Sequence, residues 1–100
     1  MKHFLLFYDY PPDYLERRVA LRPAHFQHIQ ASIARDEMQL AGAITDDAGP
    51  PMAVLMFKAD NREIVEAFAR TDPYVTGGLA IAWRVREWTT VAGRDALTKV

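Results

Sequence analysis

The sequence predicts an α+β domain of the ferredoxin-like kind, βαββαβ, with a four-stranded antiparallel sheet and its helices on one face. Three observations predict it. Short apolar runs and longer helix-patterned segments alternate along the chain as strand, helix, strand, strand, helix, strand. The middle two strands are separated only by Asp46-Asp47-Ala48-Gly49-Pro50-Pro51, a polar, breaker-rich turn that suits a hairpin. The chain has 100 residues, 50% of them apolar, which fits one compact domain with one core.

Each element has its own local reason. His3 to Tyr8 is a strand-like apolar run closed by the turn-prone Asp9-Tyr10-Pro11-Pro12-Asp13. A short helix is expected from Asp13 to Ala20. A second helix, from Pro23 to Arg35, follows the Arg22-Pro23 break, because proline disfavours helical geometry in the residue before it and suits the first turn of a new helix. On that second helix Phe26, Ile29 and Ile33 make one apolar stripe, which leaves His25 at its edge and His28 toward solvent. Glu37 to Ala43 is a weakly patterned strand, and Met52 to Lys58 a strongly apolar one. Asp60 and Glu63 resemble a capping box ahead of Ile64, Val65 and Phe68. That helix stops near Thr71-Asp72-Pro73, Gly77-Gly78 turns the chain, and Leu79 to Trp88 is the last strand. The domain is read as residues 1–91, with 92–100 a tail or short terminal helix.

The strands carry one more message. An antiparallel sheet with one wet face alternates apolar and polar residues. Here Phe4, Leu6 and Tyr8 are opposed by His3, Leu5 and Phe7, and Met52, Val54 and Met56 by Ala53, Leu55 and Phe57. Helices cover only one of those faces. The other calls for a partner, and a symmetric homodimer packed sheet to sheet answers it; a terminal segment folded over the second face is the alternative.

Composition narrows the function classes. Twelve basic residues against 13 acidic ones give a net charge of −1, without the basic footprint of a nucleic-acid binder. No cysteine is present, so disulfides, thiolate zinc sites and cysteine nucleophiles are all excluded. The apolar Phe4–Tyr8 run is far shorter than the roughly 20 residues that span a bilayer. A soluble, cytoplasmic protein with no membrane partner is expected.

Few side chains offer chemistry. His25 and His28 lie three apart, but their side chains diverge and no third ligand is evident, so no metal is expected. Ser32, the only serine, has no nucleophile elbow around it, and Gly77-Gly78 lacks the rest of a phosphate-binding loop. Arg84 and Arg86 share a strand face as a solvated or interface pair, and Trp83 and Trp88 read as core or interface. Tyr8 and Tyr74 are candidates for a pocket wall or for the core. Asp72 has two readings: with Pro73 it makes a good cap for a new turn, or its carboxylate meets His25 to form a general acid–base pair.

With these residues in view, the chain resembles the YciI-like (YCII-related) family over residues 3 to 89. The resemblance rests on the strand ending in Tyr8-Asp9, on Arg17 followed by Leu21-Arg22-Pro23-Ala24-His25-Phe26, on Leu40-Ala41-Gly42, on Asp72-Pro73-Tyr74 and on Arg86-Glu87-Trp88. It departs from the family pattern at Gly42-Ala43, where Gly-Pro is frequent, and near Asp36, where glycine is frequent. It implies a dimeric α+β barrel and a His–Asp pair at the active site, mapping onto His25 and Asp72. The expected function is a cofactor-independent enzyme in which His25 moves a proton and Asp72 orients it. Its substrate would be a small cyclic or aromatic molecule, and the reaction an elimination, isomerisation or hydrolysis. Tyr8, Tyr74 and the Met-rich third strand would wall the cleft, and Arg22 would hold an anionic group. A non-catalytic ligand-binding module and a cofactor-free monooxygenase are the alternatives.

Overall fold

In the computed structural model, which describes residues 1–99, the first apolar run becomes β1 (Lys2–Asp9). It is followed by a single helical turn α1 (Tyr14–Arg17), α2 (Arg22–Ala34), β2 (Met38–Ile44), β3 (Met52–Ala59), α3 (Arg62–Thr71), the short α4 (Pro73–Thr76) and β4 (Ala82–Trp88). The strands form one antiparallel sheet in the order β2-β3-β1-β4, with helices packed on one side. This is the ferredoxin-like arrangement that the sequence predicts.

Register decides which residues form the core. Leu6 stands between Leu55 of β3 and Val85 of β4, and Phe4 lies opposite Phe57. These residues are buried together with Val65, Phe68 and Ala69 of α3 and Ile29 of α2. Each such side chain taken fully out of water contributes about 1.5–3 kcal/mol, so the helix-facing side dominates stability.

The opposite side of the sheet presents Leu5 and Phe7 beside Val54 and Met56, all half-buried, with Trp88 46% exposed at the edge strand. Arg84 lies over the Phe7 ring at 5.0 Å and pairs with Asp9 at 3.1 Å. The terminal segment covers only one end of this side. His3 is buried there, its Nδ1 2.8 Å from Thr90 Oγ, and the tail loops back so that the Leu97 and Thr98 N–H groups donate to Thr90. Among the described residues beyond 91 the chain makes turns and no helix; Val100, the end of the expected tail, lies outside them.

Several local expectations are corrected. The first helix is one turn long and continues as tight turns through Leu21. The α3 cap is Asn61, whose side chain accepts from the Ile64 N–H, so Asp60 and Glu63 form no capping box. On α2 the buried stripe is His25, Ile29 and Ser32, while Phe26 and Ile33 are 41% and 47% exposed. His28 is half-buried instead of solvated: its ring stacks on Phe68 at 4.2 Å and its Nε2 lies 2.8 Å from the Phe68 carbonyl oxygen. Asp36 has φ 58°, a left-handed conformation that explains why glycine suits this turn; Lys58 pairs with its carboxylate at 2.8 Å. Among the described residues no helix is long and apolar enough to cross a membrane.

Candidate functional site

The site begins at a break between two helices. Pro73 stops α3, because its ring cannot continue the hydrogen-bond ladder, and leaves Asp72 extended at φ −70°, ψ 127°. Asp72 then caps α4, its Oδ1 accepting from the Tyr74 N–H at 3.0 Å. The same oxygen lies 2.7 Å from His25 Nδ1, and Oδ2 accepts from the Tyr8 hydroxyl at 2.7 Å. Capping and contact with His25 are thus compatible, because a carboxylate has lone pairs enough for both.

Asp72 is fully buried, and three donors make that burial tolerable. The contact also sets the imidazole. With a carboxylate accepting at Nδ1, the neutral ring carries its proton there and turns the Nε2 lone pair toward the cleft. The ring cannot swing. It stacks on Tyr74 at 3.5 Å, with planes 4° apart, and meets the edge of Phe26 at 5.7 Å. A held imidazole with one free nitrogen suits proton transfer to or from a bound molecule.

The space in front of His25 is a cleft of about 420 Å³ between α2 and the β2 side of the sheet. It exists because of residue size. Ala41 and Ala43 of β2, paired with Leu55 and Ala53 on the helix side of the sheet, are too small to fill the gap beneath Phe26 and Ile33, so those two side chains overhang a hollow. Tyr10, Tyr14 and Tyr74 close one end, with Tyr10 stacked on Tyr14 at 4.9 Å and edge-on to Tyr74 at 6.1 Å. Arg18 and Arg22 stand at the rim. The volume suits a small organic molecule, and the lining is apolar and aromatic with few polar groups, as binding pockets usually are.

Of the residues singled out from sequence, His25, Arg22 and Tyr74 line the cleft, and Asp72 stands directly behind His25. Tyr8 does not line it: it is fully buried on β1 and supports Asp72 from below. The methionines of β3 do not either, since Met52 and Met56 point to the opposite side of the sheet, and β3 offers Ala53 and Leu55 instead. Tyr10, Tyr14 and Arg18 are cleft residues that the sequence reading passed over. A signal was there: Tyr14, Arg18, Arg22 and Phe26 recur every four residues, and each arginine lies over the neighbouring ring, Arg18 on Tyr14 at 5.7 Å and Arg22 on Phe26 at 5.0 Å. Among the described residues no group of three metal-ligating side chains comes together.

Burial gives Tyr8, Tyr10 and Tyr74 a common property. It pushes the hydroxyl of Tyr8 far above its ordinary range, helped by the adjoining Asp72 charge. Burial likewise raises Tyr10, with Tyr74 and Asp72 adding to it. Tyr74 is raised by burial against the opposing pull of Arg22 and Arg18. A phenol harder to ionise when folded stabilises the fold fully below its ordinary value near 10, and the contribution is lost as pH rises beyond that. In an alkaline titration, phenolate absorbance is expected to appear together with loss of helical circular dichroism. Ionisation of Tyr8, Tyr10 and Tyr74 near the ordinary value, with the fold intact, would contradict the packing described.

A family model, the YCII-related domain, matches residues 1–89. Among solved structures, the chain is similar to 5-chloro-2-hydroxyhydroquinone dehydrochlorinase (TftG) from Burkholderia phenoliruptrix AC1100, solved in complex with 2,5-dihydroxybenzoquinone. The two share 26% identity at a TM-score of 0.72, over 88% of this chain and 94% of that one. It is also similar to an antibiotic biosynthesis monooxygenase, at 10% identity and a TM-score of 0.57, over 92% of this chain and 100% of that one, a likeness of fold alone. No curated protein matches the sequence.

Proposed function

The chain belongs to the YCII-related domain family, and we propose that it is an enzyme that removes a proton and a leaving group from a small hydroxylated aromatic molecule, with His25 as the base. One observation carries this reading: His25, tied at Nδ1 to a buried carboxylate 2.7 Å away, lines an aromatic-walled cleft wide enough for one ring. Nε2 takes a proton from the substrate, the leaving group departs as an anion with its bonding electrons, and Asp72 offsets the charge of the imidazolium. Tyr74 and Arg22 contact the substrate, and Tyr8 positions Asp72. The similarity to a dehydrochlorinase solved with a dihydroxybenzoquinone supports elimination over isomerisation or hydrolysis.

The test is incubation with 5-chloro-2-hydroxyhydroquinone without oxygen, with chloride release as the readout. Catalytic release of one chloride per substrate is the expected result. Tight binding with no product over long incubation would favour a binding module, and oxygen uptake without chloride release would favour a monooxygenase.

The working unit in this proposal is a homodimer closed through the uncovered side of the sheet. Leu5, Phe7, Val54 and Met56 form a continuous apolar strip there, and the tail leaves most of it bare. Placing a charge in that strip, as in Phe7→Asp, is expected to convert a dimer into a monomer or an aggregate by light scattering. A wild-type chain that runs as a monomer at micromolar concentration would count against the dimer and leave the cleft proposal standing.

A further inference from the structure

We propose that Arg18 and Arg22 form an anion clamp at the rim of the cleft, selecting an aromatic molecule that carries a negatively charged oxygen over a neutral one of the same shape. The proposal rests on the cleft being a binding site for an aromatic ring, and it names the charge state of what enters.

Among the described residues, the lining of the cleft contains these two arginines and no aspartate or glutamate. Four other arginines find carboxylates, Arg17 with Asp13, Arg35 with Glu37, Arg84 with Asp9 and Arg94 with Asp95, while Arg62 donates to the Val85 carbonyl oxygen and Arg70 lies over Trp83, away from the cleft. Among the described residues Arg18 and Arg22 find no carboxylate, although both are half-buried. A guanidinium partly withdrawn from water with its donors unused is costly, and an anion at that spot relieves the cost.

Their geometry preserves the donors. The guanidinium carbon of Arg18 lies over the Tyr14 ring at 5.7 Å, and that of Arg22 over the Phe26 ring at 5.0 Å. A ring face attracts the charge without supplying a lone-pair acceptor, so the N–H groups remain available to grip an oxyanion. Four residues apart across the α1–α2 junction, the two cations line the same cleft together with Tyr74. Asp72, the one acid behind this wall, is already shared among Tyr8, His25 and the Tyr74 N–H and is sealed from the cleft. The clamp therefore meets no internal competitor. The oxyanion sits at the rim and the ring lies inward, toward Tyr74 and His25.

Dissociation constants for 2,5-dihydroxybenzoquinone (ionised at neutral pH), 2,5-dihydroxybenzoate and neutral hydroquinone test this, measured on the wild type, Arg18→Met, Arg22→Met and the double variant. The wild type is expected to prefer an anionic probe over hydroquinone by about a hundredfold, falling to about tenfold in either single variant and vanishing in the double one. Arg→Lys variants should keep part of the preference, because the charge remains and the fork is lost. Whichever of the two anions binds more tightly identifies the oxyanion as an ionised ring hydroxyl or a carboxylate. Equal binding of anionic and neutral probes by the wild type, or a preference that survives the double substitution, overturns the clamp while leaving an aromatic cleft. Failure of all three probes to bind overturns both.

Discussion

His25→Ala is expected to reduce turnover by about three orders of magnitude, the usual share of a positioned general base, while the protein stays folded. Among the described residues of the cleft, the ring is the one titratable group with a free nitrogen that is held by both a carboxylate and a stacked tyrosine. Its loss leaves Asp72 with two of three donors, Tyr8 and the Tyr74 N–H, so the cost in stability stays at about 1–3 kcal/mol. Rates on a confirmed substrate, with thermal unfolding alongside, check both halves. Turnover that persists at the wild-type rate ends the proposal that His25 is the base.

Asp72→Ala is expected to act on the fold itself. It strips the acceptor from the Tyr8 hydroxyl, His25 Nδ1 and the Tyr74 N–H at once, in a place water does not reach. It also removes the α4 cap. Breaking a buried, charge-assisted network of this kind costs about 3–5 kcal/mol, which lowers the melting temperature of a domain this size by roughly 15–30 °C. Asp72→Asn separates the roles. An amide keeps the shape and one acceptor oxygen, so the melting temperature should fall less. Its NH2 group, however, cannot accept from Nδ1–H, and where it meets the ring it favours the opposite tautomer, so turnover should still drop by about a hundredfold or more. A melting temperature unchanged in Asp72→Ala would show that the network contributes nothing to stability; normal turnover in Asp72→Asn would show that the tautomer does not matter.

The strands and their order were legible because period and breakers are local signals. Leu6, Leu55 and Phe57 are apolar and buried, and the hairpin turn between β2 and β3 announces itself in six residues. The α2 face was not legible in the same way. A hydrophobicity pattern counts imidazole and hydroxyl as surface groups, so Phe26 and Ile33 looked buried and His25 and Ser32 did not. His25 turns inward because a carboxylate 47 positions away waits there, and no periodicity carries that information. Tyr8 was misplaced for a related reason. Its alternation put it on the core face correctly, but whether a core tyrosine ends in a cleft or against a carboxylate depends on what packs above it.

By itself, the amino-acid order determined the ferredoxin-like sheet and the doubly apolar central strands; resemblance to a family only implied the pairing of an Arg-Pro-Ala-His segment with a distant Asp-Pro-Tyr. The tertiary structure alone decided that Asp72 serves three donors, that Tyr8 stands behind it, and that the cleft opens over Ala41 and Ala43 with two arginines at its rim. The physical reason is range. Backbone preference and amphipathic period act over a few residues, whereas a buried charge network and a hollow are set by which side chains meet, and at what size, once distant segments have packed.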